Sequence, residues 1–132
     1  AGIMLTRVEY KKNDFLIADA AMNDLLRPAL YHAHHDVWPV KKTNNTVSNV
    51  SLVGPICETG DFLAKNIDIK GSEGDLLAVR TVGAYGFVMS SNYNSRPRAP
   101  EIMVDKDNFY LIRKREDYSS LTALEEDLDD QF

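Results

Sequence analysis

The stretch IMLTRVEYKKNDFLIA, Ile3 to Ala18, decides the fold class. Ile3 to Tyr10 alternates and is rich in branched and aromatic side chains, the period-two pattern of a strand. Lys12-Asn13-Asp14 supplies turn residues, and Phe15 to Ala18 resumes as a second strand. Working outward, Val37 to Lys41, Thr46 to Val53, Phe62 to Ala64 and Leu76 to Thr81 read as further strands, with a weaker β pattern over Phe87 to Ser90. Glu101 to Val104, the polar turn Asp105-Lys106-Asp107-Asn108 and Phe109 to Arg113 make a hairpin. Two segments read as helices. Asn23 or Asp24 can cap a short one through Leu25 to His32, where Pro28 is tolerable only in the first turn. Ser120 to Leu128 places Leu121, Leu124 and Leu128 on one face, opposite an acidic one. The expected fold is therefore mainly β, a sandwich or partly closed barrel with short helices.

The bulk numbers narrow the function. A chain of 132 residues with 44% hydrophobic and 27% charged content suits one soluble domain, residues 1–132. A net charge of −5 argues against a general nucleic-acid groove. No run approaches the ~18 apolar residues of a membrane span. The lone cysteine, Cys57, rules out an internal disulfide and suits a reducing cytoplasm. The opening residues already read as strand, so the chain is expected to be a fragment.

Four constellations carry possible chemistry. Arg27 and Tyr31 share one face of the short helix. Alone, the pair reads as a surface arginine lying along a tyrosine ring; the sharper alternative is a clamp for a carboxylate. His32, His34 and His35 tempt a zinc assignment, but no partner ligands accompany them, and they read as a solvated helix end with no metal. In VGAYGF, Val82 to Phe87, glycines on either side of Tyr85 would let the backbone bring a phenol close to an anion. VGPICETGDFLA, Val53 to Ala64, sets Cys57 beside Glu58 between turn residues.

In order along the chain, MNDLLRPALY (Met22 to Tyr31), VGPICETGDFLA and GDLLAVRTVGAYGFVMSSNYNSRPRAPE (Gly74 to Glu101) resemble the C-terminal part of the bacterial diaminopimelate decarboxylases. Those are pyridoxal 5'-phosphate (PLP) enzymes of fold-type III, with an alanine-racemase-like (β/α)8 barrel and a C-terminal β domain. The resemblance covers nearly the whole chain. It implies that this is the β domain of a two-domain enzyme, and that the barrel segment with its Schiff-base lysine lies upstream of, and outside, the chain. The isolated chain is then expected to be inactive.

The resemblance also implies an activity: conversion of meso-2,6-diaminopimelate to L-lysine and carbon dioxide in lysine biosynthesis, with PLP as the electron sink. A thiol of reference pKa ~8.5 is mostly protonated near neutral pH, so Cys57 is implied as the proton donor. Glu58 is implied as ligand of the distal ammonium, and Arg27 and Tyr31 as holders of the distal carboxylate. Tyr85 is implied to reach both cofactor and substrate. In the resembled family the cysteine and glutamate come from the neighbouring subunit, which implies a homodimer with a shared active site. Other readings stay open: an amino-acid-binding β domain without chemistry, a dimerisation domain, or a domain of the related ornithine or arginine decarboxylases.

Overall fold

The alternation of Ile3 to Tyr10 becomes β1, Ile3–Lys12, in which Thr6 and Val8 are buried while Ile3 and Leu5 face outward. The computed structural model describes residues 1–42, 44 and 46–127, which fall into two units, Ala1–Ser90 and a second beginning at Ser91. In the first unit, β2 (Phe15–Ala18), β3 (Val37–Pro39), β4 (Ser48–Val53), β5 (Phe62–Ile69) and β6 (Leu76–Arg80) join β1 in one sheet. Its order is β3-β6-β1-β2-β4-β5, and only β2 and β4 run parallel. The edge strands β3 and β5 approach each other, so the sheet curls into a partly closed barrel. Inward residues of alternate parity fill it: Val8, Leu16, Ala18, Val50, Leu52, Leu63, Leu77 and Val79, joined by Leu25. Each fully buried Leu contributes about 1.5–3 kcal/mol of transfer free energy. None of the described helices is long and apolar enough to cross a membrane.

The helix expected over Leu25 to His32 is shorter, α1, Arg27–Tyr31. Leu25 is pulled fully into the core, and a turn over Ala21 to Asp24 precedes it, with Asp24 N–H and Leu25 N–H both donating to the Ala21 carbonyl. Neither Asn23 nor Asp24 is the cap. The N-cap is Leu26, and the Asp24 carboxylate instead accepts from Ala21 N–H at 2.9 Å. Pro28 does lie in the first turn, and His32 ends the helix in the left-handed region at φ 53°. Phe87 to Ser90 is not a strand. Phe87–Met89 is a 3₁₀ turn, closed by Ser90 Oγ on the Phe87 carbonyl at 2.6 Å, because the backbone reverses at Tyr85-Gly86 just before it. β5 runs on to Ile69, beyond the expected Ala64, because Ile67, Asp68 and Ile69 still pair with Val50, Asn49 and Ser48 of β4 past the register irregularities. β3 stops at Pro39, although Val40 N–H still bonds the Leu76 carbonyl.

In the second unit, β7 (Glu101–Asp105) and β8 (Asn108–Arg113) form the expected hairpin. The cross-strand pair Glu101 and Arg113 is ion-paired at 2.7 Å. The tail helix starts earlier than expected: α2 is Tyr118–Thr122, with Asp117 and Ser120 forming a capping box. Leu121 belongs to it, Leu124 follows it and is exposed, and Leu128 lies outside the described residues. Glu116 accepts from Arg98 Nε at 2.7 Å, Arg98 N at 2.9 Å and Asn92 Nδ2 at 2.7 Å. The guanidinium bond above all, then the Arg98 N–H and the Asn92 amide, holds its carboxyl down from 4.5 to about 2.

A carboxyl with a depressed folded pKa lends stability above its unfolded value and loses it as the pH falls toward the folded one. The Arg98–Glu116 junction should therefore loosen between pH 4.5 and about 2. Protection of the Arg98 amide against hydrogen exchange is expected to fall across that window in the native protein. In Glu116→Gln it should be lower at the outset and less pH-dependent. Part of the dependence should survive, since the Ser120 and Ser119 hydroxyls and the Ser120 N–H hold Asp117 to about 2 as well. Protection equal in both proteins at every pH would contradict the assignment.

Candidate functional site

The candidate residues cluster on one side of the first unit because α1 is tethered there. Thr6 Oγ donates to the Asp19 carboxylate at 2.6 Å and accepts from Ala20 N–H at 3.1 Å, which fixes the chain as it leaves β2. The Ala21–Asp24 turn then delivers Arg27 and Tyr31 one helical turn apart, on one face. The guanidinium carbon of Arg27 lies 5.9 Å from the Tyr31 ring centroid. It also lies 5.7 Å from the ring of Tyr85, a residue remote in sequence. Both distances are within the cation–π range. Tyr31 and Tyr85 are 59% and 58% exposed, so their hydroxyls remain available to a ligand, while Arg27 is half-buried.

Tyr85 reaches this position on an unusual backbone. It sits at φ 58°, and Thr81, at the other end of the loop, is also left-handed at φ 58°. For a β-branched residue that conformation is strained. A Cβ at Gly86 would collide with the Val82 carbonyl oxygen, so only glycine lets the loop fold back so tightly.

Cys57 and Glu58 occupy the loop between β4 and β5, and both are exposed. The loop lies against α1: a Cβ at Gly60 would stand 4.0 Å from the Ala29 Cβ and 4.0 Å from Glu58 Cγ. The structure thus joins Arg27, Tyr31 and Tyr85 directly, and places the Cys57–Glu58 pair in the loop packed beside the same helix.

One buried acidic residue beside these candidates was missed in the sequence. Asp61 is 3% exposed, and its carboxylate accepts from Met22 N–H at 2.6 Å and Ile56 N–H at 2.8 Å. The sequence signal for it was slight: an acidic residue after Thr59-Gly60, where turn punctuation is the ordinary reading.

The histidines correct an expectation too. His32 is the helix C-cap, and His34 Nε2 lies 3.1 Å from Asp36 at the surface. His35, however, is buried at 4% exposure rather than solvated, with Nδ1 donating to the Arg80 carbonyl at 2.9 Å. Packing of the following strand β3 against β6 draws it inward. Among the described residues no cluster of three or more His, Cys, Asp or Glu side chains could hold a metal ion.

Chemically, an arginine fork with two phenols offers donors to a carboxylate, while Glu58 offers an anion and Cys57 a thiol. Fold and candidate residues together define a curled β-sheet domain that gathers a guanidinium and two phenols beside a loop bearing a thiol and a carboxylate. Comparison with known proteins is more specific. Residues 1–83 match the family described as pyridoxal-dependent decarboxylase, C-terminal sheet domain, and the chain belongs to that family. It is 56% identical over 129 residues to the diaminopimelate decarboxylase of Vibrio cholerae, covering 95% of this chain and 31% of that protein. It is 58% identical over 127 residues to the enzyme of the same name from Pseudomonas aeruginosa, covering 93% and 31%. The structure of Helicobacter pylori diaminopimelate decarboxylase complexed with L-lysine superposes with a TM-score of 0.88 at 40% identity, covering 98% of this chain and 32% of that one. The chain thus spans 31% of the length of each of these two relatives.

Proposed function

We propose that residues 1–132 act as the C-terminal domain of a PLP-dependent diaminopimelate decarboxylase, which converts meso-diaminopimelate to L-lysine and carbon dioxide. The observation that carries this reading is the meeting of Arg27 with Tyr31 and Tyr85, in a chain 56% identical to an enzyme of that name. The substrate has a carboxylate and an ammonium at the end remote from the chemistry. Arg27 and Tyr31 hold that carboxylate, the fork taking two oxygens and the hydroxyl adding a donor. Glu58 pairs with that ammonium. A site that must satisfy both groups rejects an amino acid lacking either, because its own polar groups would then go unpaired.

When bound, PLP supplies the electron sink for loss of the carboxylate as carbon dioxide. The residues present fit the margin of such a group: Tyr85 carries an exposed phenol donor on a glycine-flanked loop beside a guanidinium, which suits an anionic edge of the cofactor. Cys57 holds the proton that must return to the decarboxylated carbon, delivered from Sγ. The working form is a homodimer in which Cys57 and Glu58 of one subunit complete the site of the other. Cytoplasmic location is supported by the exposed free thiol of Cys57, which suits a reducing compartment.

The test is to purify the full-length protein, load it with PLP, and follow lysine formation and carbon dioxide release from meso-diaminopimelate. Stoichiometric lysine is expected. Turnover of ornithine or arginine in its place would move the protein to a related branch. Binding of diaminopimelate without any release would leave a binding domain instead.

A further inference from the structure

We infer that Asp61 is a positioning residue for both contributions this chain makes: its buried carboxylate holds the Cys57–Glu58 loop, which serves the neighbouring subunit's site, against the segment that leads into α1, which carries Arg27 for its own. The inference rests on the proposed function for its kinetic consequence, but the geometry stands apart from it. Oδ1 accepts from Met22 N–H at 2.6 Å, at the turn that delivers Arg27. Oδ2 accepts from Ile56 N–H at 2.8 Å, on the residue before Cys57. The backbone of the same residue completes the bracket, with its N–H donating to the Glu58 carbonyl at 3.0 Å and its carbonyl accepting from Gly54 N–H at 3.1 Å. One side chain thus ties together two of the three stretches that carry the candidate residues, those of Arg27 and Tyr31 and of Cys57 and Glu58. Gly54 makes the arrangement possible: a Cβ there would run into Asp61 Oδ2 and lie 2.6 Å from both Cα and Cβ of Ala21. Glycine is needed here for close approach.

The two acceptor oxygens explain why the residue is an aspartate. An asparagine of the same shape has one acceptor and one donor, so one of Met22 N–H and Ile56 N–H would face an N–H group. That leaves a buried donor unsatisfied and pushes one stretch away from the other. Reacting groups tolerate little displacement; about 1 Å can cost on the order of a hundredfold in rate.

Asp61→Asn and Gly54→Ala, in the full-length PLP-loaded protein, should act alike although neither residue meets the substrate. The KM for diaminopimelate is expected to rise about tenfold or more, and kcat per bound PLP to fall. A residue that only stabilises the fold would lower the melting temperature and leave KM unchanged. The second readout needs no substrate: the rate at which iodoacetamide labels Cys57 in the native protein, read on the Cys57 peptide, should change severalfold in both variants. If Asp61→Asn gives no soluble protein, Gly54→Ala supplies the same comparison, and Asp61→Glu, which keeps two acceptor oxygens, should recover part of the wild-type KM and labelling rate. Wild-type KM together with wild-type labelling in folded Asp61→Asn or Gly54→Ala overturns the inference. A wild-type protein that makes no lysine would instead overturn the proposed function, and the labelling rates would still decide the role of Asp61.

Discussion

Arg27→Ala in the full-length enzyme is expected to lower kcat/KM for meso-diaminopimelate by roughly 30- to 900-fold, the equivalent of about 2–4 kcal/mol for a lost charge-assisted contact. The guanidinium lies within 6 Å of two exposed phenols, at 5.9 and 5.7 Å, so its removal takes away the positive centre of the clamp. Arg27→Lys should recover only part of the loss, since an ammonium keeps the charge but not the two-pronged geometry. Glu58→Ala should show a loss of similar size, from the opposite charge of the same substrate end. The bland alternative makes a different forecast. A surface arginine stacked along tyrosine contributes about 0.5–1 kcal/mol to stability and nothing to selection. Wild-type kcat/KM in both alanine variants, measured against diaminopimelate, would leave the stacking and remove the clamp.

Cys57→Ala is expected to retain bound PLP, read by its visible absorbance, while kcat falls by about 10²–10⁴, the usual worth of a positioned proton donor. Loss of the cofactor absorbance would make the cysteine structural. Sharing of the site between subunits gives the stronger form of the experiment. Cys57→Ala and Arg27→Ala are each expected to have little activity alone. If Cys57 serves the neighbouring subunit and Arg27 its own, a mixed dimer holds one site with both lesions and one with neither, because a two-fold interface exchanges the same patch both ways. Random re-assortment makes about half the dimers mixed, so about a quarter of all sites regain the wild-type set. Activity should climb toward that fraction after dissociation and re-mixing of the two variants. Mixed dimers that form and stay inactive would assign Cys57 to its own subunit.

Much of the fold was legible because it is local. The alternation of Ile3 to Tyr10, the Lys12-Asn13-Asp14 turn and the Asp105 to Asn108 turn each write their structure into neighbouring residues. Pro28 reported the first turn of α1 for the same reason, since its ring excludes the helix interior. The candidate residues Arg27, Tyr31, Cys57, Glu58 and Tyr85 were legible through motifs that resemble a known family. Spacing alone left every one of them with an ordinary surface or turn reading.

What the sequence determined by itself, then, was a mainly β chain, its principal strands, and a set of candidate polar residues. Only the tertiary structure decided which of them meet. The partly closed barrel brings the loop of Tyr85 to the helix of Arg27, a contact set by strand order and register rather than by any local period. Closure likewise buried His35 and drew Leu25 out of the expected helix into the core. Asp61 shows the physical reason most clearly. A lone acidic residue in a turn ordinarily stays in water; this one is buried because two backbone N–H groups, at Met22 and Ile56, converge on it from segments distant in the chain. Desolvation of its charge is offset by hydrogen bonds that exist only once the sheet has closed.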